Sequence, residues 1–141
     1  MLSLARLRSS GLLLGLCALV GCSSNATPVG QKPVHPVRGE VLVNGKPAVG
    51  AFVLFIPALE SANSPDPRPR ATVGDDGSFR LSTYGTEDGA PAGDYLVTVT
   101  WPLDGRDDED KLQGRYRDRA KSGLKATVKE GSNDIPAFKL K

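Results

Sequence analysis

Histidine is almost missing from this sequence, and that scarcity removes whole classes of chemistry. His35 is the only one, set between Val34 and Pro36, so neither a Ser-His-Asp catalytic group nor a histidine-rich zinc site can be assembled. Cysteine is nearly as rare, with Cys17 and Cys22 alone. No uninterrupted apolar run reaches the roughly 20 residues that a membrane-spanning helix requires. An excess of one charge is lacking too. The formal net charge is +2, and Arg6 and Arg8 account for it, because from Cys22 onward 16 basic side chains face 16 acidic ones. No basic stripe interleaved with aromatics is present, so nucleic acid is not an expected partner. Long stretches of helical period are also absent, whereas 16 glycines and 11 prolines point to a small, turn-rich domain.

What is present begins with MLSLARLRSSGLLLGLCALVG, residues 1 to 21, a basic start followed by a short apolar run from Gly11 to Gly21. Such a run is too short to span a bilayer but suits the core of an export signal. Its end, Leu19-Val20-Gly21-Cys22, resembles the bacterial lipobox. The resemblance implies removal of residues 1–21, a diacylglycerol on the sulfur of Cys22 and acylation of the new amino group. Two or three acyl chains hold a protein on a membrane where one gives only marginal binding. Cys17 would leave with the signal, so no internal disulfide is expected in the mature chain. Residues 22–36, rich in small residues and proline, read as a lipidated, flexible tether. Ser23 after the cysteine resembles the release-permitting case, so the expected location is the cell envelope, at the outer membrane rather than the inner.

From Val37 the pattern changes to short alternating segments between turn signals, as in an all-β sandwich. VRGEVLV (37–43) places Val37, Val41 and Val43 on one face, and Asn44-Gly45 follows as a tight turn. AFVLFIP (51–57) is apolar on both faces, as for a central strand covered on each side. RATV and SFRLST flank Asp75-Asp76-Gly77 as a hairpin with Phe79 and Leu81 inward. DYLVTVTW (94–101) aligns Tyr95, Val97, Val99 and Trp101 with a period of two. SGLKATV (122–128) and IPAFKLK (135–141) complete seven strand candidates, while 58–70 and 102–121 read as an exposed loop and a charged excursion outside the core.

The series RGEVLVNGKPAVGAFVLFIP, ATVGDDGSFRL and GAPAGDYLVTVTWP resembles the carboxypeptidase regulatory-like, or transthyretin-like, β-sandwich domain. The matching positions are Gly39, Val41, Gly45, Pro47, Gly50, Ala51 and Val53, then Asp75, Gly77 and Phe79, then Pro91, Gly93, Tyr95, Val97 and Val99. The resemblance covers most of 37–140 and implies a seven-stranded Greek-key sandwich over 37–141, with no enzyme activity of its own and no cofactor.

Residues that might carry chemistry each have a plainer reading beside them. His35 reads as a solvated tether residue. Asp75, Asp76, Glu87, Asp88 and the Asp104 to Asp110 run supply carboxylates for a small envelope carbohydrate hydrolase, yet a single sandwich offers little room for the required cleft. Asp104, Asp107, Asp108, Glu109 and Asp110 could bind calcium, but the run lacks EF-hand spacing and holds Arg106, with Lys111 next to it, so a solvated, self-neutralising loop is expected and no metal site. Trp101, Tyr84 and Tyr116 are the candidate ligand contacts. Trp101 is in phase with the core, Tyr84 lies in a loop and suits stacking on a sugar, and Tyr116 sits among arginines. The expected function is a non-catalytic, membrane-anchored lipoprotein whose loops meet an envelope protein or glycan; the alternative is a purely structural spacer.

Overall fold

The computed structural model describes residues 27–60, 66–104 and 106–141. The signal segment, Leu19, Val20, Gly21 and Cys22 lie outside the described residues. Thirteen strand segments and no helix occur among those that are described. In chain order they are Val34–His35 (β1), Val37–Val43 (β2), Lys46–Pro47 (β3), Phe52–Pro57 (β4), Arg70–Thr72 (β5), Ser78–Arg80 (β6), Ala90–Pro91 (β7), Gly93–Thr100 (β8), Pro102–Leu103 (β9), Arg106–Asp110 (β10), Leu124–Val128 (β11), Asn133–Asp134 (β12) and Phe138–Leu140 (β13).

Two sheets carry the architecture. One is antiparallel with the order β11-β8-β4-β5. In the other, β2 pairs in parallel with β12 and β13 on one side and antiparallel with β3 and β6 on the other. Alternation along each strand turns Val37, Val41 and Phe79 of the second sheet, and Val53, Phe55, Val97 and Val99 of the first, into one shared core. This all-β arrangement is consistent with a β-sandwich.

Local sequence explains the main elements. Asn44 and Gly45 both take positive φ, 50° and 79°, and let Val43 pair with Lys46, which is the demand of a two-residue hairpin turn. The turn expected at Asp75-Asp76-Gly77 is present, with Gly77 at φ 85° and Asp76 Oδ1 accepting from the Ser78 N–H at 2.9 Å and from its hydroxyl at 2.6 Å. Its arms part, however, instead of forming the expected hairpin ladder: β5 pairs with β4 in one sheet and β6 with β2 in the other, apart from an isolated bridge between Arg70 and Ser82. In the core, Phe55 meets Phe79, Tyr95 and Phe138 at ring separations of 6.3, 5.6 and 6.5 Å. Phe79 and Phe138 stack at 6.3 Å with planes 4° apart. Each such pair adds about 0.5–1.5 kcal/mol beyond the apolar area it buries.

Two segments depart from the sequence reading. The stretch read as a tether over 22–36 ends in structure: Val34 and His35 pair with Pro91 and Ala90, and His35 Nδ1 accepts the Gly131 N–H at 3.2 Å. The stretch 102–121, read as an excursion outside the core, returns to it. Leu112 is only 4% exposed within the core, Tyr116 packs against the same cluster, and the Val99 N–H donates to the Tyr116 carbonyl at 3.0 Å. Charged neighbours keep the segment's outer side in water while its few apolar residues face inward.

Candidate functional site

The outward side of the β11-β8-β4-β5 sheet is unevenly covered. Along β4, Val53 and Phe55 point into the core, which leaves Phe52, Leu54 and Ile56 on the opposite side. Ile56 is 7% exposed and its neighbour Thr98 is buried, but Phe52 is 36% exposed. At the covered end, Glu60 Oε1 accepts from Arg68 at 2.6 Å and Oε2 from Arg119 at 3.0 Å, tying the 111–123 segment to the chain leaving β4. The hydrogen bond from Arg68, with that from Arg119, holds the Glu60 carboxyl below its ordinary value.

At the open end, register sets the composition. Phe52 lies directly opposite Thr72 on β5 and Thr100 on β8, giving a Thr-Phe-Thr row across three strands. Shallow depressions flank the ring. One, of about 450 Å³, is lined by Phe52, Arg70, Thr72, Tyr84 and Thr86 among others; the second, of about 580 Å³, is bordered by Phe52, Thr100, Pro102, Glu109 and Arg117.

Tyr84 is 40% exposed and reaches the first depression on a loop that a single carboxylate organises. Asp88 Oδ1 accepts the Thr83 N–H at 2.6 Å, and Oδ2 accepts those of Tyr84 and Gly85 at 2.9 and 2.8 Å. Burial raises the Asp88 pKa, yet the N–H groups of Thr83, Gly85 and Tyr84 together outweigh it and leave the carboxyl below its ordinary value. Glu87 takes φ 53°, and the Ser82 hydroxyl accepts its N–H at 2.8 Å. The Tyr84 hydroxyl accepts the Lys32 N–H at 3.1 Å, while Lys32 Nζ pairs with Asp66, so the entering chain and this loop are joined.

The other aromatic candidates are employed elsewhere. Trp101 donates its Nε1–H to the Val49 carbonyl at 2.8 Å, lies under Lys111 Nζ at 4.8 Å and packs against the core. Tyr116 accepts the Lys141 N–H on its hydroxyl at 3.3 Å. Neither lines the depressions beside Phe52, so the structure joins Tyr84 to Phe52 rather than to Trp101 or Tyr116. In the acidic run, Asp110 accepts the N–H groups of Trp101 and Leu112 at 2.9 Å and of Gly114 at 3.0 Å, and Arg106 pairs with Glu109 at 3.7 Å. Among the described residues no three His, Cys, Asp or Glu side chains converge as a metal cage. A cavity of about 240 Å³ beside the entering chain is lined by Lys32, Leu59, Asp66 and Tyr95 among others. There the Tyr95 hydroxyl donates to the Pro91 carbonyl at 2.7 Å, and burial, with lesser contributions from the charges of Asp66 and Tyr84, pushes its pKa up to about 12.

Sequence reasoning had no place for Phe52 or Arg70. Strict alternation along 52–56 was the available signal, since it sends Phe52 to the side away from Val53 and Phe55.

No protein-family model matches the chain, and no curated protein does. Among solved structures it is similar to a DUF3823 family protein from Parabacteroides merdae ATCC 43184, with a TM-score of 0.37 and 14% identity over 75% of this chain. The match takes in 46% of that protein, so the chain spans about half the length of its structural neighbour.

Proposed function

We propose that the protein is a lipid-anchored, non-catalytic envelope module in which a carboxypeptidase regulatory-like, seven-stranded Greek-key sandwich presents one sheet face and its loops to a protein or glycan. The observation that carries the binding role is the open end of the β5-β4-β8 face, where Phe52, 36% exposed, lies between two depressions, one of them shared with Tyr84. Two exposed aromatics sharing one depression form a patch, and it is a patch, not a single exposed ring, that marks an interaction surface. The family resemblance is supported by its motif residues meeting in space: Gly39 of the first motif is the cross-strand partner of Phe79 of the second. The non-catalytic reading is supported by what the carboxylates do, because Asp76, Asp88 and Asp110 accept backbone N–H groups within their own loops.

Anchoring on Cys22 is tested by mass spectrometry of the mature protein and by fractionation. A lipidated residue 22 as the amino terminus and release of Cys22→Ala from membranes are expected; an unmodified terminus, or retention of residues 1–21, sinks the assignment. The binding role is tested by affinity capture from solubilised envelope using point variants. Deleting 102–121 would remove the buried Leu112 and confuse unfolding with lost contact. Capture that falls in Phe52→Ala and Tyr84→Ala supports the module, whereas capture indifferent to both favours a spacer.

A further inference from the structure

We propose that the open end of the β5-β4-β8 face binds a carboxylate-bearing hexopyranoside, stacked on Phe52 and Tyr84 and read by Arg70. The inference rests on the binding-module reading above and names its ligand class.

Three properties of the surface select this chemistry. The first is a pair of exposed rings at one depression, Phe52 fixed on a strand and Tyr84 fixed by the Asp88 loop, so both platforms are ordered before a ligand arrives. The apolar C–H side of a pyranose ring matches an aromatic face, while its rim of hydroxyls needs polar partners. The second is the supply of those partners. Thr72 and Thr100 flank Phe52 in register and Thr86 lies beside Tyr84, and none of the three hydroxyls is engaged in a hydrogen bond among the described residues. The neighbouring Ser82 and Thr83 hydroxyls are already used inside the loop.

The third is charge. Among the described residues Arg70 is the only charged one lining the depression that holds Tyr84, and it has no acidic partner there. Glu87, two residues beyond Gly85, lines a different depression with Arg38 and Arg80, and Asp88 is committed to three N–H groups. The acids near Phe52, Glu109 and Asp110, border the depression on the opposite side of its ring together with Arg117. A free guanidinium over an otherwise neutral, hydroxyl-lined recess is complementary to a planar carboxylate, which it can take in bidentate fashion. A protein partner would want a continuous apolar centre sealed from water; here threonines interrupt the apolar surface on both sides of Phe52.

The same chemistry occurs in a hexuronate and in an amino sugar carrying a lactyl ether, and the test separates them. The lipidated protein in detergent is titrated with tetragalacturonate, with an N-acetylglucosamine–N-acetylmuramic acid disaccharide and with neutral cellotetraose, followed by saturation-transfer NMR and calorimetry. Binding of one carboxylated probe in preference to cellotetraose is expected, and whichever probe wins identifies the source of the carboxylate. Phe52→Ala should weaken that binding about tenfold or more. Arg70→Gln should lower the acidic probe's affinity about tenfold, to that of the neutral one, and leave cellotetraose unchanged. Tyr84→Ala, on an exposed loop, supplies a second ring deletion should Phe52→Ala fail to keep the wild-type circular dichroism. Absence of transfer from both carboxylated probes at millimolar concentration overturns the proposal, as does binding that none of these substitutions alters. If envelope capture still depends on Phe52 while every sugar fails, a protein partner replaces the glycan and the module reading survives. If capture ignores Phe52 as well, both fall.

Discussion

Gly39→Ala sets local propensity against packing, and the two predict opposite signs. Replacing a mid-strand glycine by alanine ordinarily stabilises by about 0.5–1 kcal/mol, because glycine loses more freedom on folding. Gly39, however, is the cross-strand partner of Phe79, whose ring lies across it. A Cβ on residue 39 would sit 2.4 Å from Phe79 Cζ and 2.7 Å from Cε1, about 1 Å inside the roughly 3.5–4.0 Å at which carbons normally meet. The ring cannot yield easily, since it is buried, stacked on Phe138 and edge-on to Phe55. Overpacking of this kind costs about 1–3 kcal/mol, so packing outweighs propensity and the variant loses stability overall. Phe79→Leu alone should cost about 1–2 kcal/mol by thinning the aromatic cluster, but it also clears the space above residue 39. The double variant should therefore be more stable than the sum of the singles by about 1 kcal/mol or more. Urea titration followed by Trp101 fluorescence yields the four free energies of the cycle, given unchanged slopes. Additivity within about 0.5 kcal/mol, or a stabilised Gly39→Ala, would refute the assignment of Gly39 as the seat of the Phe79 ring.

Gly89→Ala is expected to free the entering chain, because its Cβ would fall 1.9 Å from the His35 carbonyl oxygen at a φ of 99°; hydrogen exchange at the His35–Ala90 ladder should accelerate, and unchanged protection there would contradict it. Asp88→Asn should cost about 1–3 kcal/mol at neutral pH by presenting an NH₂ to a site built of donors. The folded Asp88 carboxyl titrates below the ordinary 3.8, so its contribution is in place above that value and is lost as pH falls through the lowered one; acid denaturation should flatten in the variant over that window. Tyr95 works in the other direction. Its folded pKa of about 12 exceeds the ordinary 10.0, so its contribution is complete below pH 10.0 and is lost as pH rises toward 12, a decline that Tyr95→Phe should abolish in alkaline unfolding curves.

Whatever depended on a short-range rule could be read directly. The Asn44-Gly45 turn, the Asp75-Asp76-Gly77 turn and the inward set Phe79, Leu81, Tyr95, Val97 and Val99 follow from positive-φ chemistry and a period of two, and stand where those rules put them, although the arms of the second turn go to different sheets and not to one hairpin. What escaped depended on distant segments. A two-residue ladder such as Val34–His35 has no period to detect, and its pairing with Ala90–Pro91 is decided by where two loops run. Leu112 and Tyr116 lie among charges that define their segment's composition, although burial acts on individual side chains and not on averages. Phe52 escaped for the converse reason. An apolar run implies cover on both faces, but the cover is uneven: Ile56 is buried, whereas Phe52 at the other end of β4 is left 36% exposed.

The acids show how composition can point away from a site. Read along the chain, Asp75, Asp76, Glu87, Asp88 and the Asp104 to Asp110 run form the densest supply of reactive groups. In space most of those with hydrogen-bond partners serve the backbone: Asp76 accepts from residue 78, Asp88 from 83, 84 and 85, and Asp110 from 101, 112 and 114, as does Asp118 beyond the run, from 120. A short carboxylate capturing nearby N–H groups is what aspartate does in a turn-rich fold with few helices to satisfy those donors. Each such aspartate rigidifies a loop and gives up its availability to a ligand. Among the described polar side chains without a hydrogen-bond or ion-pair partner are Arg70 and the hydroxyls of Thr72, Thr86 and Thr100, which border the depressions on the two sides of Phe52. On the proposed reading, recognition would fall to a cation and hydroxyls around Phe52, while one carboxylate, Asp88, holds the loop that brings Tyr84 alongside.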